Sequence, residues 1–164
     1  MPVQKAGAPP SDQLEFVQSD VLTFPDGLIG CESWRHFVLI SMPDDELVKV
    51  LQCVDAPEVS FLVTDPHLIV QDYQCTISVG DAEAINLTSL ADAIVYCTLT
   101  VHDDPTDITA NLLGPLVINL RTRLGRQLVL AESNYSTKHP IPRDGGDMLS
   151  SEDEKSSAKA RQTR

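Results

Sequence analysis

Between Leu14 and Leu130 the apolar residues recur mostly at every second position, in short runs broken by Pro, Gly and Asp. A period of two places alternate side chains on opposite faces of a strand, whereas a helix needs a period near 3.6. Tyr73 to Val79 is the plainest run, with Tyr73, Cys75, Ile77 and Val79 on one face and Gln74, Thr76 and Ser78 on the other. Ile94 to His102 follows the same rule, setting Val95, Cys97, Leu99 and Val101 against Tyr96, Thr98, Thr100 and His102. Further strands are expected over Leu14 to Thr23, Phe37 to Ser41, Leu47 to Val54, Val59 to Thr64, Leu116 to Arg121 and Arg126 to Ala131. Turn clusters such as Pro25-Asp26-Gly27 and Pro43-Asp44-Asp45 separate them. About eight short strands at this spacing predict a small all-β barrel or sandwich. One short helical turn is expected over Asp81 to Leu87, with Asp81 as its N-cap.

The 164 residues suffice for one domain, and a 42% hydrophobic content supplies a core. We expect that domain to span residues 12–140, after a flexible stretch over 1–11. Residues 141–164 are rich in Ser, Gly and charge and predict a disordered tail, in which Ser150 to Ala160 is compatible with a helix formed on binding. Met1 to Ser11 lacks the apolar core of a secretory signal, and no window reaches the length of a membrane-spanning helix, so the reading is cytoplasmic. In that compartment the triplets at Asn86 and Asn134 carry no glycan.

Cys31, Cys53, Cys75 and Cys97 lie 22 residues apart, but their flanks do not align and no CxxC pair occurs. Buried thiols are the expected role, with metal binding as the alternative. No nucleophile elbow, phosphate loop, dinucleotide fingerprint or HExxH motif is present, and His36, His67, His102 and His139 share no ligand spacing. The run from His102 to Asp107 crowds an imidazole with Asp103, Asp104 and Asp107, which could hold a divalent cation; a solvated turn between strands explains it equally in composition and better in spacing.

Charge is the strongest bulk constraint. Residues 11–140 hold 19 acids and 6 bases, a net of −13, while residues 141–164 hold five of each. Such a surface repels phosphate backbones and favours basic protein partners, which argues against direct nucleic-acid binding. The turns Asp44-Asp45-Glu46 and Asp103-Asp104 with Asp107 are therefore candidate contact residues, together forming one acidic surface.

Three segments, in this order, resemble the FliW family of flagellar assembly factors. Phe24-Pro25-Asp26-Gly27-Leu28-Ile29-Gly30 with Phe37 is similar to the family's opening signature, although Cys31 stands where a large apolar residue is commoner. Leu51-Gln52-Cys53, Pro57, Ser60-Phe61, Asp65-Pro66 and Tyr73 follow, with Cys53 replacing the usual Ser. Asn111-Leu112-Leu113-Gly114-Pro115-Leu116-Val117-Ile118-Asn119, then Gly125, Gln127 and Tyr135, form the most specific block. Most of these positions have structural roles in our reading: glycines for turns, prolines for strand ends, Phe24, Phe37, Phe61, Leu112 and Ile118 for core. Gln52, Asn111, Asn119 and Gln127 are expected to brace strand ends or turns, since a buried amide needs partners. The resemblance implies an antiparallel barrel-like monomer, without catalytic machinery, cofactor or metal, that binds flagellin and, when free, binds and antagonises the translational repressor CsrA. It also implies an apolar groove beside the acidic face for a helical part of flagellin. A flagellin chaperone that never touches CsrA, or a small metal-binding enzyme using the His102 loop, are the alternative readings.

Overall fold

A computed structural model describes residues 20–142. Nine strands build one sheet: β1 (Leu22–Thr23), β2 (His36–Met42), β3 (Asp45–Cys53), β4 (Ser60–Thr64), β5 (Ala93–Val101), β6 (Ile108–Ala110), β7 (Leu116–Asn119), β8 (Leu124–Gln127) and β9 (His139–Ile141). Among the described residues a single α-helix, α1 (Val79–Ala84), lies between β4 and β5. Pairing runs β1–β2–β3–β4–β5–β7–β8 and returns from β8 to β1, so seven strands close into a ring. β6 continues from the far end of β5 and carries β9 on its outer edge.

Side-chain alternation divides the apolar residues between two cores. Leu22, Phe37, Leu51, Phe61, Tyr96, Leu116 and Ile118 come from six strands of the ring and pack together, which places them in its interior. On the same strands the intervening residues Val48, Leu62, Cys97, Leu99 and Val117 face outward, into a second cluster with Val70, Tyr73, Ile85, Leu112 and Leu128. This outer layer is covered by the segment joining β4 to β5. Burying each such Leu, Val or Phe contributes about 1.5–3 kcal/mol relative to exposure.

The inner core is closed at one end by aromatic rings. Phe24 meets Phe37 edge-on at 5.5 Å between centroids, and Phe61 lies 6.2 Å from Phe37 and 6.4 Å from Trp34. Gly125 on β8 makes room for this plug, because a Cβ there would lie 2.6 Å from the Phe24 ring. Gly27 has φ +70 and a Cβ would meet the Glu32 backbone at 2.5 Å, so the Pro25–Glu32 turn admits only glycine at that point.

Several expectations are corrected. Tyr73 to Val79 is not a strand: Tyr73 is buried, Cys75 and Ile77 half-buried and their neighbours exposed, yet no ladder forms. The segment lies extended across the outer face of the sheet rather than within it, and its Gln74 N–H donates to the Tyr135 hydroxyl at 2.7 Å. Alternation reports one buried side of an extended chain, with or without a neighbouring strand. The N-cap of α1 is Ser78, not Asp81; the Ser78 hydroxyl accepts the Asp81 N–H at 3.1 Å and donates to the Asp81 carboxylate at 2.9 Å. The helix therefore begins two residues earlier and ends before Asn86, which is left-handed at φ 55.

β8 begins before the expected Arg126 to Ala131, because Arg123, at φ 64, completes a tight turn that pairs Leu124 directly with Asn119. β6 and β9, three residues each, were too short to be expected. Ile141 belongs to β9, paired with Ile108 and 6% exposed, rather than opening the tail. The ring is antiparallel as expected except at the contact between β1 and β8, which is parallel. Leu14 to Ser19 of the first expected strand and the tail beyond Pro142 lie outside the described residues.

Candidate partner-binding surface

All six candidate acidic contacts are exposed. Asp44, Asp45 and Glu46 form the β2–β3 tip, where Asp45 Oδ1 accepts the Leu47 N–H at 2.9 Å. Asp103, Asp104 and Asp107 form the β5–β6 tip. There Asp104 Oδ1 accepts the Thr106 N–H at 3.0 Å and the Thr106 hydroxyl at 2.8 Å, two donors that hold its carboxyl below the usual range against a small desolvation effect. His102 turns away from these carboxylates: its Nε2 contacts Thr109 Oγ1 at 3.0 Å across the hairpin. No group of metal-ligating side chains exists among the described residues.

The two tips do not form one surface. β3 and β5 run in the same direction on either side of β4, with Val48, Thr64 and Cys97 at one level. Asp45 precedes that level by three residues and Asp103 follows it by six, so the tips stand about 30 Å apart along the strands, at opposite ends of the barrel.

The four amides lie at junctions. Gln52 Nε2 donates to the carbonyls of Cys53, Pro57 and Val59, at 3.1, 2.7 and 3.1 Å, and fixes the β3–β4 connection. Asn119 Nδ2 donates to the Ile85 and Asn86 carbonyls, while its Oδ1 accepts the Arg121 N–H. Asn111 Oδ1 accepts the Gly114 N–H at 2.9 Å. Gln127 joins two distant segments, donating to the Gly114 carbonyl and accepting the Ile29 N–H, each at 2.9 Å. Phe24, Gly27, Asn111, Gly114, Gly125 and Gln127 thus cooperate in one construction, the closure of the barrel at its plugged end. Pro115 and Leu112 are buried beside it, and Pro57 is exposed on the connection that Gln52 holds. Gly30, at φ 85, has no atom within 4 Å of a Cβ and serves the turn by conformation alone. Asp65 caps the 3-10 turn Pro66–Leu68 through the His67 N–H.

Among the described residues the opposite end of the ring is open. A cleft of about 370 Å³ enters there, lined by Val38, Leu39 and Ile40 of β2 and by Ile94, Tyr96 and Ile118 across from them, with Asp20, Leu22, Leu120 and Arg123 completing it. The β2–β3 tip is the acidic turn at this end. Of these residues the sequence reading assigned Ile118 to the core, and it is buried; the opening was invisible because alternation reports which side is covered, not where a wall has a gap. Exposed Leu90 and Leu120 lie near the same end, which the Asp92 carbonyl to Leu120 N–H bond marks.

Three of the thiols, Cys53, Cys75 and Cys97, are unsuited to chemistry at neutral pH. Burial pushes Cys97 up to about 12 and Cys75 up to about 11, and it raises Cys53 as well, so these sulfurs stay protonated. The Tyr73 hydroxyl, also raised by burial, donates to the Leu112 carbonyl at 2.7 Å and ties the covering segment to the barrel. Arg126, outward on β8, bonds Asp81 of α1 at 2.8 Å and also pairs with Asp26. Among the described residues no helix is long and apolar enough to cross a membrane.

The family model "FliW protein" matches residues 9–141. The flagellar assembly factor FliW of Bdellovibrio bacteriovorus is 43% identical over 129 residues, covering 79% of this chain and 74% of that protein. That of Natranaerobius thermophilus is 35% identical over 143 residues, covering 87% and 95%. A crystal structure of the flagellar assembly factor FliW superposes with a TM-score of 0.74 at 32% identity, covering 80% of this chain and 92% of that one. With its signature residues engaged in closing one end of a seven-stranded ring, the chain belongs to the FliW family of flagellar assembly factors.

Proposed function

We propose that this protein works in the cytoplasm, as a monomer and by contact rather than catalysis, with two partners in turn. It holds flagellin; once flagellin has been exported, the freed protein binds the translational repressor CsrA and antagonises it, so that flagellin message is translated. Family membership supports the flagellar role, and the net charge of −13 over residues 11–140 is the observation that carries the second partner. A dense negative field placed beside a basic RNA-binding protein opposes its hold on phosphates and speeds the encounter. The two acidic tips enter this reading as separate contacts, Asp44, Asp45 and Glu46 at the open end and Asp103, Asp104 and Asp107 at the other.

The experiment is a titration of the purified protein against CsrA and against flagellin, followed by competition of each partner for the preformed complex of the other. Binding to both with mutual exclusion is expected. Binding to flagellin alone reduces the protein to a chaperone, and binding to neither withdraws the proposal. Charge reversal at each triad separately then locates CsrA: one triad is expected to weaken binding about tenfold or more, as loss of close charge pairs does. Inhibition of CsrA should also fall as ionic strength rises, beyond the salt effect on CsrA and RNA alone.

A further inference from the structure

The chain that covers the outer core is anchored firmly at two points. Tyr73 is buried, stacks on the Tyr135 ring at 4.6 Å between centroids and donates to the Leu112 carbonyl. Ile85 is also buried, and its carbonyl accepts the Asn119 side-chain amide at 2.9 Å and the Thr122 hydroxyl at 3.1 Å. Leu112 precedes β7 and Asn119 ends it, so the chain between the anchors lies lengthwise over the β7–β8 hairpin, with Asp81 beside Arg126 of β8. Between the anchors the hold is slight. None of residues 74–84 is buried, and Val79 is 75% exposed. Residues 74–78 join no ladder among the described residues, and the Ala82 N–H of α1 bonds within the segment, to the Ser78 carbonyl. Cys75, Ile77 and Ala82 pack half-buried against the outer core, and the Arg126 bond to Asp81 at 2.8 Å joins the middle of the segment to the barrel. Local opening costs least where few apolar contacts are buried and few backbone bonds cross to the rest of the fold.

We propose that residues 74–84 form a strap that opens as a unit while the barrel stays folded, hinged at Tyr73 and Ile85 and latched by the pair of Arg126 with Asp81. Opening bares the outer face of β7 and β8, where Val117 and Leu128 lie, so the strap controls access to apolar surface that the closed protein hides. The latch is an ion pair at the surface, and salt screens such pairs, so ionic strength sets the open fraction. Asp26 pairs with the same guanidinium and keeps Arg126 in place when Asp81 departs, which leaves the latch ready to close again.

The strap carries its own reporter, since Cys75 is half-buried within it whereas Cys97 is buried on β5. A thiol held in apolar surroundings reacts slowly and regains its ordinary reactivity in water. The test treats the full chain with iodoacetamide, from no urea to just below the unfolding midpoint, and follows the label at each cysteine by peptide mass spectrometry. Cys75 is expected to react at a rate nearly independent of urea, because a local opening exposes little surface, while Cys97 reacts through global unfolding and accelerates steeply. Arg126→Gln should raise the urea-independent rate at Cys75 about fivefold, the size of a partly exposed ion pair. Asp81→Asn removes the same bond from the other side and should give the same increase, with no further gain in the double variant. Added KCl should raise the rate in the unsubstituted protein and not in the variants, the reagent having no charge for salt to screen. A Cys75 rate that follows Cys97 through urea would mean that the cover opens only with the barrel, and a rate unmoved by either substitution and by salt would mean a thiol already accessible when the strap is closed. Either result overturns the proposal.

Discussion

The two cores of this protein lie on opposite faces of the same strands, yet they are built differently. The inner one is walled by the ring and filled at one end by Phe24, Phe37, Phe61 and Trp34, whose ring geometry leaves little room for adjustment. The outer one is a layer of aliphatic side chains under an irregular cover, held by single bonds such as that of Tyr73 to the Leu112 carbonyl and by the Arg126 ion pairs. Most of the family's glycines and amides serve the first. A closed space demands exact volumes and backbone approaches, whereas a cover can settle onto whatever surface it meets.

Deleting a ring from the closed core is the harshest test of this contrast. Phe37→Ala is expected to cost about 3–5 kcal/mol, read as a shift of the urea midpoint, because the enclosed space cannot collapse. A loss below about 2 kcal/mol would show an interior as adaptable as the outer layer. A pair of glycine substitutions comes next and should differ in sign. Gly125→Ala drives a methyl into the Phe24 ring and should destabilise by about 1–3 kcal/mol. Gly80→Ala, in α1 with no neighbouring atom nearer than 3.9 Å, should stabilise by about 0.5–1 kcal/mol, since alanine loses less backbone entropy in a helix. If both destabilise, the cover is as tightly specified as the plug.

The smallest effect concerns the rim of the plugged end, where Asp55 accepts the Arg35 and His36 N–H groups at 2.7 and 2.9 Å and faces the His36 ring. Desolvation opposes ionisation there, but these donors outweigh it and hold the carboxyl below its usual range. A lowered folded-state pKa means that the stabilisation is complete above the unfolded value, about 3.9, and is lost as pH falls through the folded one. Acid unfolding of Asp55→Asn should lack this component. Identical curves below pH 4 for the two proteins would remove Asp55 from the account.

Much of the inner core was legible from sequence, since β2 to β5 and β7 are regular enough for alternation to reveal both faces. Cys97, Leu99 and Tyr96 fall on the faces that the pattern assigned them. The outer layer was read less well, because Tyr73 to Ile77 alternates without belonging to the sheet and because the three-residue strands β6 and β9 exist only as successive additions, β6 on β5 and β9 on β6. The acidic turns were recognisable singly, but their placement at opposite ends depends on strand order, which no local pattern carries. The cleft was the least legible of all, being lined by residues from strands far apart in the chain.

Ring closure itself has a kinetic meaning. The Thr23 N–H bond to the Arg123 carbonyl, the Gln127 bond to Ile29 and the Arg126 pair with Asp26 each join residues about a hundred positions apart. During synthesis none of them can form until residues 123–127 have left the ribosome, by which time β2, β3 and β4 have been free to pair for most of translation. The nascent sheet therefore waits with its β1 edge uncovered by β8, and the loop entropy of the last contact is overcome only at the end. Folding of this small barrel is expected to be limited by that late meeting of its first and eighth strands, which makes the plugged end the last part to form as well as the most exacting.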